Sequence, residues 1–372
     1  MQNAPLKILF ISRKHPPSVG GMQRLSYQLI TAMRARATVQ AITWGGSQLA
    51  LPLFLVYAFL RGLFLARRAE IIHAGDPLVT PVALALARLY RLPVVVTAHG
   101  LDLTFNFPGY QALVPPLLQQ CDHVICISAG TYADAIARGI APERCSIIYP
   151  GLNAPAAVPS REAARAGIEA LLGEPLAGGR TLWLTVGRLV PRKGVGWFIE
   201  YVLSHLCEAS PGTSETGSLA YLVVGDGPEM PRLRALVAEL GLSGCVYLLG
   251  QLSDADLIQV YTGADVFIMP NIPQPNDREG FGMVAIEAAM YGLPVIGARL
   301  EGIPDAVIEG ESGVLLPPGD AEAWSAFLQR TLAEPALLDD LRVHAREAVL
   351  ERFAWDKMAE AYERVFREAA SR

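Results

Sequence analysis

Two glutamates eight positions apart, Glu279 and Glu287, stand in the run REGFGMVAIEAAMYGLP at Arg278–Pro294, with Gly280 and Gly282 beside the first. The spacing from Met283 to Tyr291 predicts a short helix, with Gly292 as its C-cap and Pro294 beyond it. Glu279 then falls on the loop entering the helix and Glu287 on its second turn. Gly280 and Gly282 let backbone N–H groups come close to a ligand, and a helix N-terminus favours an anion. Glu287 is surrounded in sequence by Val284, Ala285, Ile286, Ala288, Ala289 and Met290. A buried carboxylate without partners is costly, so it either faces solvent or takes hydroxyl or N–H donors.

Other residues able to do chemistry sit at comparable places. Arg188 and Lys193 share one loop after the strand-like run TLWLTV; they are either solvated charges or a pair suited to neutralising a diphosphate. Gly20-Gly21 precedes a helical pattern and is either a tight turn or a close approach to phosphate. His99 ends VVVTAH with Gly100 and Asp102 after it, where a histidine is either structurally satisfied or faces a cleft. His73, in EIIHAGDP, is the next candidate, behind the site. Gly225-Asp226-Gly227-Pro228 is a lone G-x-G without the third glycine of a dinucleotide fingerprint. Asp254-Ala255-Asp256 could hold a metal, but Ser253 with Asp256 reads better as a capping box, and two cations make a metal unnecessary for a diphosphate. No cofactor is expected.

The elements that must position these groups alternate. Strands are expected at Lys7–Ile11, Thr38–Thr43, Glu70–His73, Pro93–Ala98 and His123–Ile127, with helices at Gly21–Arg36, Thr80–Arg91 and Ala129–Arg138. After the Pro- and Ala-rich run Tyr149–Arg161 the pattern restarts, with strands at Thr181–Val186, Ala220–Val224, Val246–Leu249, Val266–Met269 and Val295–Gly297. Such alternation is the mark of βαβ units and parallel sheets covered on both faces. The reading is α/β, two Rossmann-like doubly wound domains, with ligand expected in a cleft where strand carboxyl ends meet helix N-termini.

A chain of 372 residues suits two domains; being 52% hydrophobic and 18% charged with net charge -5, it is neither disordered nor a nucleic-acid binder. The five cysteines, at 121, 126, 145, 207 and 245, lie scattered in apolar runs and read as buried free thiols of a reducing compartment, without zinc spacing. The start, MQNAPLKILFISR, reads as a first strand and not a signal peptide. Leu49–Ala66 carries a single charge, Arg61, and is followed by Arg67 and Arg68. It is read as a helix buried against a sheet or partly exposed to lipid, and is short of the roughly 20 apolar residues of a span. Its arginines suit an anionic membrane face, or the edge of an ordinary buried helix.

Taken together, Gly20-Gly21, His99-Gly100, Gly187-Arg188 with Lys193-Gly194, Gly225-Asp226-Gly227-Pro228, and Glu279-Gly280-Phe281-Gly282 with Glu287 resemble the GT4-type retaining glycosyltransferases of GT-B fold, in order and approximate spacing over almost the whole chain. The tail ERFAWDKMAEAYERVF looks like that family's closing segment. The resemblance implies domains at 1–153 and 154–354 facing a central cleft, with helix 355–372 joining the first. It implies that Arg188 and Lys193 bind and stabilise the departing diphosphate, and that backbone N–H groups of Gly280, Phe281 and Gly282 contact the donor. Glu279 would hold sugar hydroxyls, Glu287 would accept from the ribose, and His99 would touch the donor sugar. The Gly20-Gly21, Gly187 and Gly225 loops would line the donor, and Leu252 would meet its base. Asp102 and Tyr110 are candidates for shaping acceptor choice. EGIPD at 301–305 departs from the Gly-Gly often found there in the family. The expected activity is metal-independent transfer of a sugar from a nucleotide-diphosphate sugar to a lipid-linked or glycan acceptor. The expected setting is the cytoplasm, at the inner membrane face, in cell-envelope polysaccharide or glycolipid synthesis, with peripheral contact through Leu49–Arg68. A nucleotide-sugar epimerase and a non-catalytic nucleotide-sugar-binding protein are the alternatives.

Overall fold

The computed structural model describes residues 5–18, 20–105, 108–155, 157–176, 180–208 and 219–372. The chain divides into two compact units. The first holds the chain up to Leu152 with Asn276–Phe281 and Phe353–Arg372; the second holds Asn153–Pro275 and Gly282–Arg352. Residues 276–281, given to the second domain from sequence, therefore belong to the first unit. The reason is local: Arg278 Nη1 reaches both Asp134 carboxylate oxygens at 3.1 Å, and Gly280 packs on the His99 backbone.

Among the described residues the first unit has β1 Lys7–Ser12, β2 Thr38–Thr43, β3 Ile71–Ala74, β4 Val94–Ala98, β5 His123–Cys126 and β6 Cys145–Ile147. They form one parallel sheet in the order β2-β1-β3-β4-β5-β6. The second unit has β7 Thr181–Val186, β8 Leu219–Val224, β9 Val246–Gly250, β10 Val266–Met269, β11 Val295–Ala298 and β12 Gly313–Leu316, ordered β12-β11-β10-β7-β8-β9 and again parallel. Chain order reverses between β1 and β3 in one sheet and between β7 and β10 in the other. A doubly wound sheet opens a crevice at such a point.

The central strands are apolar on both faces because helices cover both: Ile8–Ile11 and Val94–Ala98 are buried throughout. Two edge strands, β6 and β12, escaped the sequence reading. β6 has three residues, none of them fully buried, and β12 opens on a glycine, so neither stands out as a buried apolar run in the sequence. The last helix, Trp355–Ala370, packs on the first sheet. Its Phe366 ring lies 6.0 Å from Phe10 and 5.3 Å from His73, and Tyr362 Oη is 3.1 Å from Thr97 Oγ1. Truncating a fully buried phenylalanine such as Phe366 costs about 3–5 kcal/mol, so this helix is integral to the unit. In the second unit the Asp265 carboxylate ties elements together, accepting from Leu182 N–H and Arg165 Nη2, each at 2.7 Å. Cys121, Cys126 and Cys245 are buried free thiols and Cys145 is a half-buried one; the Cys207 side chain lies outside the described residues.

Candidate active site

Parallel strands bring their carboxyl ends to one edge of each sheet. On the first unit's edge stand Arg13 after β1, Asp76 after β3 and His99 after β4. Arg13 Nε donates to Asp76 Oδ1 at 2.8 Å, and both side chains are buried. Arg13 Nη2 lies 4.0 Å from Asp102 Oδ1. Asp76 Oδ1 also accepts from the Leu78 N–H at 3.0 Å, whereas Oδ2 is buried with no hydrogen-bond partner. Removing one member of such a buried pair costs about 3–5 kcal/mol, because the other charge is stranded. Sequence reading missed Arg13 and Asp76. The signal was available, since both follow strand ends as His99 does.

His99 Nε2 lies 2.9 Å from the Gly75 carbonyl oxygen, which can only accept, so Nε2 carries the proton. The other ring nitrogen, Nδ1, is buried with no hydrogen-bond partner. The His99 N–H donates to Asp102 Oδ2 at 3.2 Å. Burial, first of all, pushes the Asp102 carboxyl above the usual carboxylate range, against the pull of His99 and Arg13. Tyr110 Oη donates to the Asp102 carbonyl at 2.6 Å, and burial, reinforced by Asp102, raises its hydroxyl. Both residues considered for acceptor choice thus make bonds within the unit. His73 is buried among Phe10, Tyr362 and Phe366, with Nε2 2.9 Å from Thr97 Oγ1. Burial lowers its pKa to about 3, so it stays neutral and structural. Gly20 is the N-cap of helix Gly21–Arg34, without a side-chain cap bond. Glu279 is half-buried, and Phe281 is buried with its ring 5.8 Å from Tyr149 and 5.6 Å from Phe353, leaving its backbone as the part able to serve a ligand.

In the second unit the loop after β7 holds Gly187, the exposed Arg188 and the buried Lys193. A Cβ on Gly187 would stand 3.5 Å from Lys193 Cε and 3.9 Å from Nζ, so the ammonium lies over that glycine. A Cβ on Gly225, after β8, would fall 1.9 Å from the Gly187 carbonyl oxygen; only glycine allows the two loops to touch. Leu252, two residues past β9, is half-buried, and the Ser253 hydroxyl caps the next helix by accepting from the Asp256 N–H at 3.2 Å.

The helix foreseen after Glu279 runs Met283–Met290. Gly282 is its N-cap at φ 98° with no side-chain cap bond, which leaves first-turn N–H groups open to an anion. Gly292 follows in the left-handed conformation, φ 74°, beyond the C-cap. Half-buried Glu287 has the hydroxyl partner expected of it: Tyr261 Oη donates to Oε2 at 3.3 Å, its ring stacked on Tyr291 at 5.4 Å and 4°. A hollow of about 230 Å³ beside Leu189–Pro191 carries Glu200 and Glu229 against Arg232, a net negative lining that suits no diphosphate. The first unit thus gathers His99, Asp102, Tyr110 and Gly280; the second gathers Gly187, Lys193 and Gly225, with Gly282 and Glu287 on one helix.

Two Rossmann-like units of this topology define the GT-B class of glycosyltransferases. Anabaena HepE, solved in complex with UDP, superposes with a TM-score of 0.78 at 20% identity, covering 98% of this chain and all of that one. The catalytic domain of starch synthase IV from Arabidopsis thaliana, bound to ADP and acarbose, gives 0.78 at 17% identity over 99% and 100%. Residues 19–154 match the family model Glycosyltransferase Family 4, and residues 173–348 match Glycosyl transferases group 1. The D-inositol 3-phosphate glycosyltransferase of Streptomyces bingchenggensis is 34% identical over 318 residues, 81% of this chain and 67% of its own. The glycogen synthase of Mycobacterium tuberculosis is 27% identical over 97% of this chain and 94% of its own. The chain belongs to the GT4-type, group 1 glycosyltransferases.

Proposed function

We propose that the enzyme moves a sugar from a nucleotide-diphosphate sugar to a hydroxyl of a lipid-linked or glycan acceptor, with retention at the anomeric carbon. Lys193 carries the reading: its ammonium is held buried over a glycine at the carboxyl end of β7. As the bond from C1 to the diphosphate oxygen breaks, its electron pair leaves with the diphosphate. A cation fixed in advance in a poorly solvated place stabilises that growing charge at no reorganisation cost. Arg188 on the same loop is the second cation, and the open amide end at Gly282 is a third source of positive potential. Glu287, oriented by Tyr261, takes the ribose hydroxyls. His99 serves the donor sugar through a ring locked by Gly75. The acceptor oxygen attacks from the face the diphosphate vacates, and its proton passes to a diphosphate oxygen. No carboxylate pair flanking the bond is required.

The HepE crystals with UDP and with UDP-glucose support a nucleotide-sugar donor. The relatives' names give unlike acceptors, an inositol phosphate and glycogen, so only the hydroxyl nucleophile is taken from them. Cell-envelope polysaccharide or glycolipid synthesis at the cytoplasmic membrane face is the setting we assign, and the reaction as written uses no metal. The test incubates the enzyme, with and without chelator, with UDP-, GDP- and ADP-sugars and candidate acceptors. Nucleoside diphosphate release is followed, and the product anomer is read by NMR. Retention with chelator present is expected; inversion, or no release from any donor, would overturn the proposal.

A further inference from the structure

The helix Leu51–Leu65 carries one charge, Arg61, and is otherwise apolar around its circumference, and a helix of that kind belongs in a core or against a membrane. Only one stripe of it is in the core. Phe54, Ala58 and Gly62, four apart, are buried, Phe54 stacking on Trp44 and Gly62 lying against Leu86. The remaining face is in solvent: Leu53 is 74% exposed, Phe64 66%, and Val56, Tyr57 and Leu60 55–60%. Leu49, just before the helix, is 93% exposed. Monomeric proteins seldom expose so continuous an apolar patch without a partner for it.

Charge identifies the partner. No acidic residue occurs from Gln48 to Ala69, whereas Arg61, Arg67 and Arg68 are all exposed. Where the helix ends, Arg67 and Arg68 border a hollow of about 510 Å³ whose other charged groups are Lys7 and Glu70, with Thr38 and Gln40 as further hydrogen-bonding groups. The Glu70 carboxylate accepts the Lys7 backbone N–H at 2.8 Å, and against its single negative charge Lys7, Arg67 and Arg68 leave the hollow a net positive lining. Apolar side chains running into a basic hollow match an acyl surface edged by phosphate headgroups. Fifteen residues of helix extend about 22 Å, short of a bilayer core of about 30 Å. Among the described residues no helix is long and apolar enough to cross a membrane.

We infer that this face lies on an anionic phospholipid surface, with the exposed Leu49, Leu53, Val56, Tyr57, Leu60 and Phe64 side chains in the acyl boundary and a lipid phosphate in the hollow of Lys7, Arg67 and Arg68. The inference does not depend on the transferase reading, since vesicle binding is measured without turnover. The full chain is sedimented with phosphatidylcholine vesicles, with and without phosphatidylglycerol. The variants are Leu53→Ser/Phe64→Ser and Arg67→Glu/Arg68→Glu, all at exposed positions, with melting temperature as the folding control. Wild type should partition onto the phosphatidylglycerol vesicles, and each double variant should lose at least tenfold of that binding at unchanged melting temperature. Absence of wild-type binding, binding insensitive to both variants, or saturable uptake of inorganic phosphate without vesicle binding would overturn it. So would a dimer on size exclusion that the Leu53/Phe64 variant dissolves, because the face would then serve a second copy.

Discussion

Gly280 passes so close to the His99 backbone that a Cβ on it would stand 2.5 Å from the His99 carbonyl oxygen. A Cβ on Gly100 would in turn lie 3.0 Å from the Gly280 Cα, so two glycines let these segments touch beside the imidazole. Gly280→Ala should therefore push the His99 segment and the Glu279 loop apart. A cost of about 1–3 kcal/mol is expected from overpacking, with transfer rate falling more than the lost stability explains. Urea unfolding together with kcat on the fully folded fraction checks this. A variant of wild-type stability and rate would show the contact to be incidental.

Lys193→Ala should act on the rate. Charge on the leaving diphosphate grows toward the transition state, so the lost interaction is stronger there than with bound donor. A fall in kcat of roughly 10²–10³ with little change in KM is expected, as when one preorganised donor to a developing anion is removed. Steady-state kinetics with a saturating acceptor decides it. An unaltered kcat with a raised KM would confine Lys193 to ground-state binding.

Glu287 and Tyr261 should act on affinity, and as a pair. Their bond at 3.3 Å joins two half-buried or buried groups, and Glu287 is placed to accept from a diol. Glu287→Ala should weaken nucleotide binding about tenfold, or 1.4 kcal/mol. Tyr261→Phe should give a smaller loss, and the double variant less than the sum of the two, because they share one interaction. Calorimetric titration with UDP, GDP and ADP measures all three. Unchanged affinity in Glu287→Ala would remove it from the site.

The alternation of apolar runs and helical patterns made both parallel sheets legible, because buried parallel strands are continuous apolar stretches. Strand-end position picked out His99, and glycine spacing picked out the Met283–Met290 helix with its Gly282 and Gly292 boundaries. What stayed hidden was pairing across long separations. Nothing local in LFISR or AGDP shows that Arg13 and Asp76, 63 residues apart, will meet as a buried ion pair. Nor did the run before Glu279 show that 276–281 would cluster with the first unit, which rests on Arg278 meeting Asp134 and Gly280 meeting His99. Apolar content alone likewise did not tell the buried side of Leu51–Leu65 from the exposed one. Phe54 and Phe64 stand in equally apolar surroundings in the sequence, yet Phe54 is in the core and Phe64 is exposed.

His73 should set part of the acid sensitivity of the fold. Desolvation first, then the charge of His99, lowers its pKa from 6.5 to about 3 in the folded chain. Between those values the unfolded chain binds a proton that the folded chain refuses, so stability rises with pH across this window. The contribution is fully present above pH 6.5 and is lost as pH falls toward 3. One proton corresponds to about 1.4 kcal/mol per pH unit. His73→Gln keeps a hydrogen-bonding group near Thr97 but cannot titrate. It should be less stable than wild type near neutrality, yet lose stability less steeply on acidification, by up to that slope. Denaturation midpoints of the two proteins across the window are the measurement. Parallel curves would mean that the acid response resides in groups other than His73.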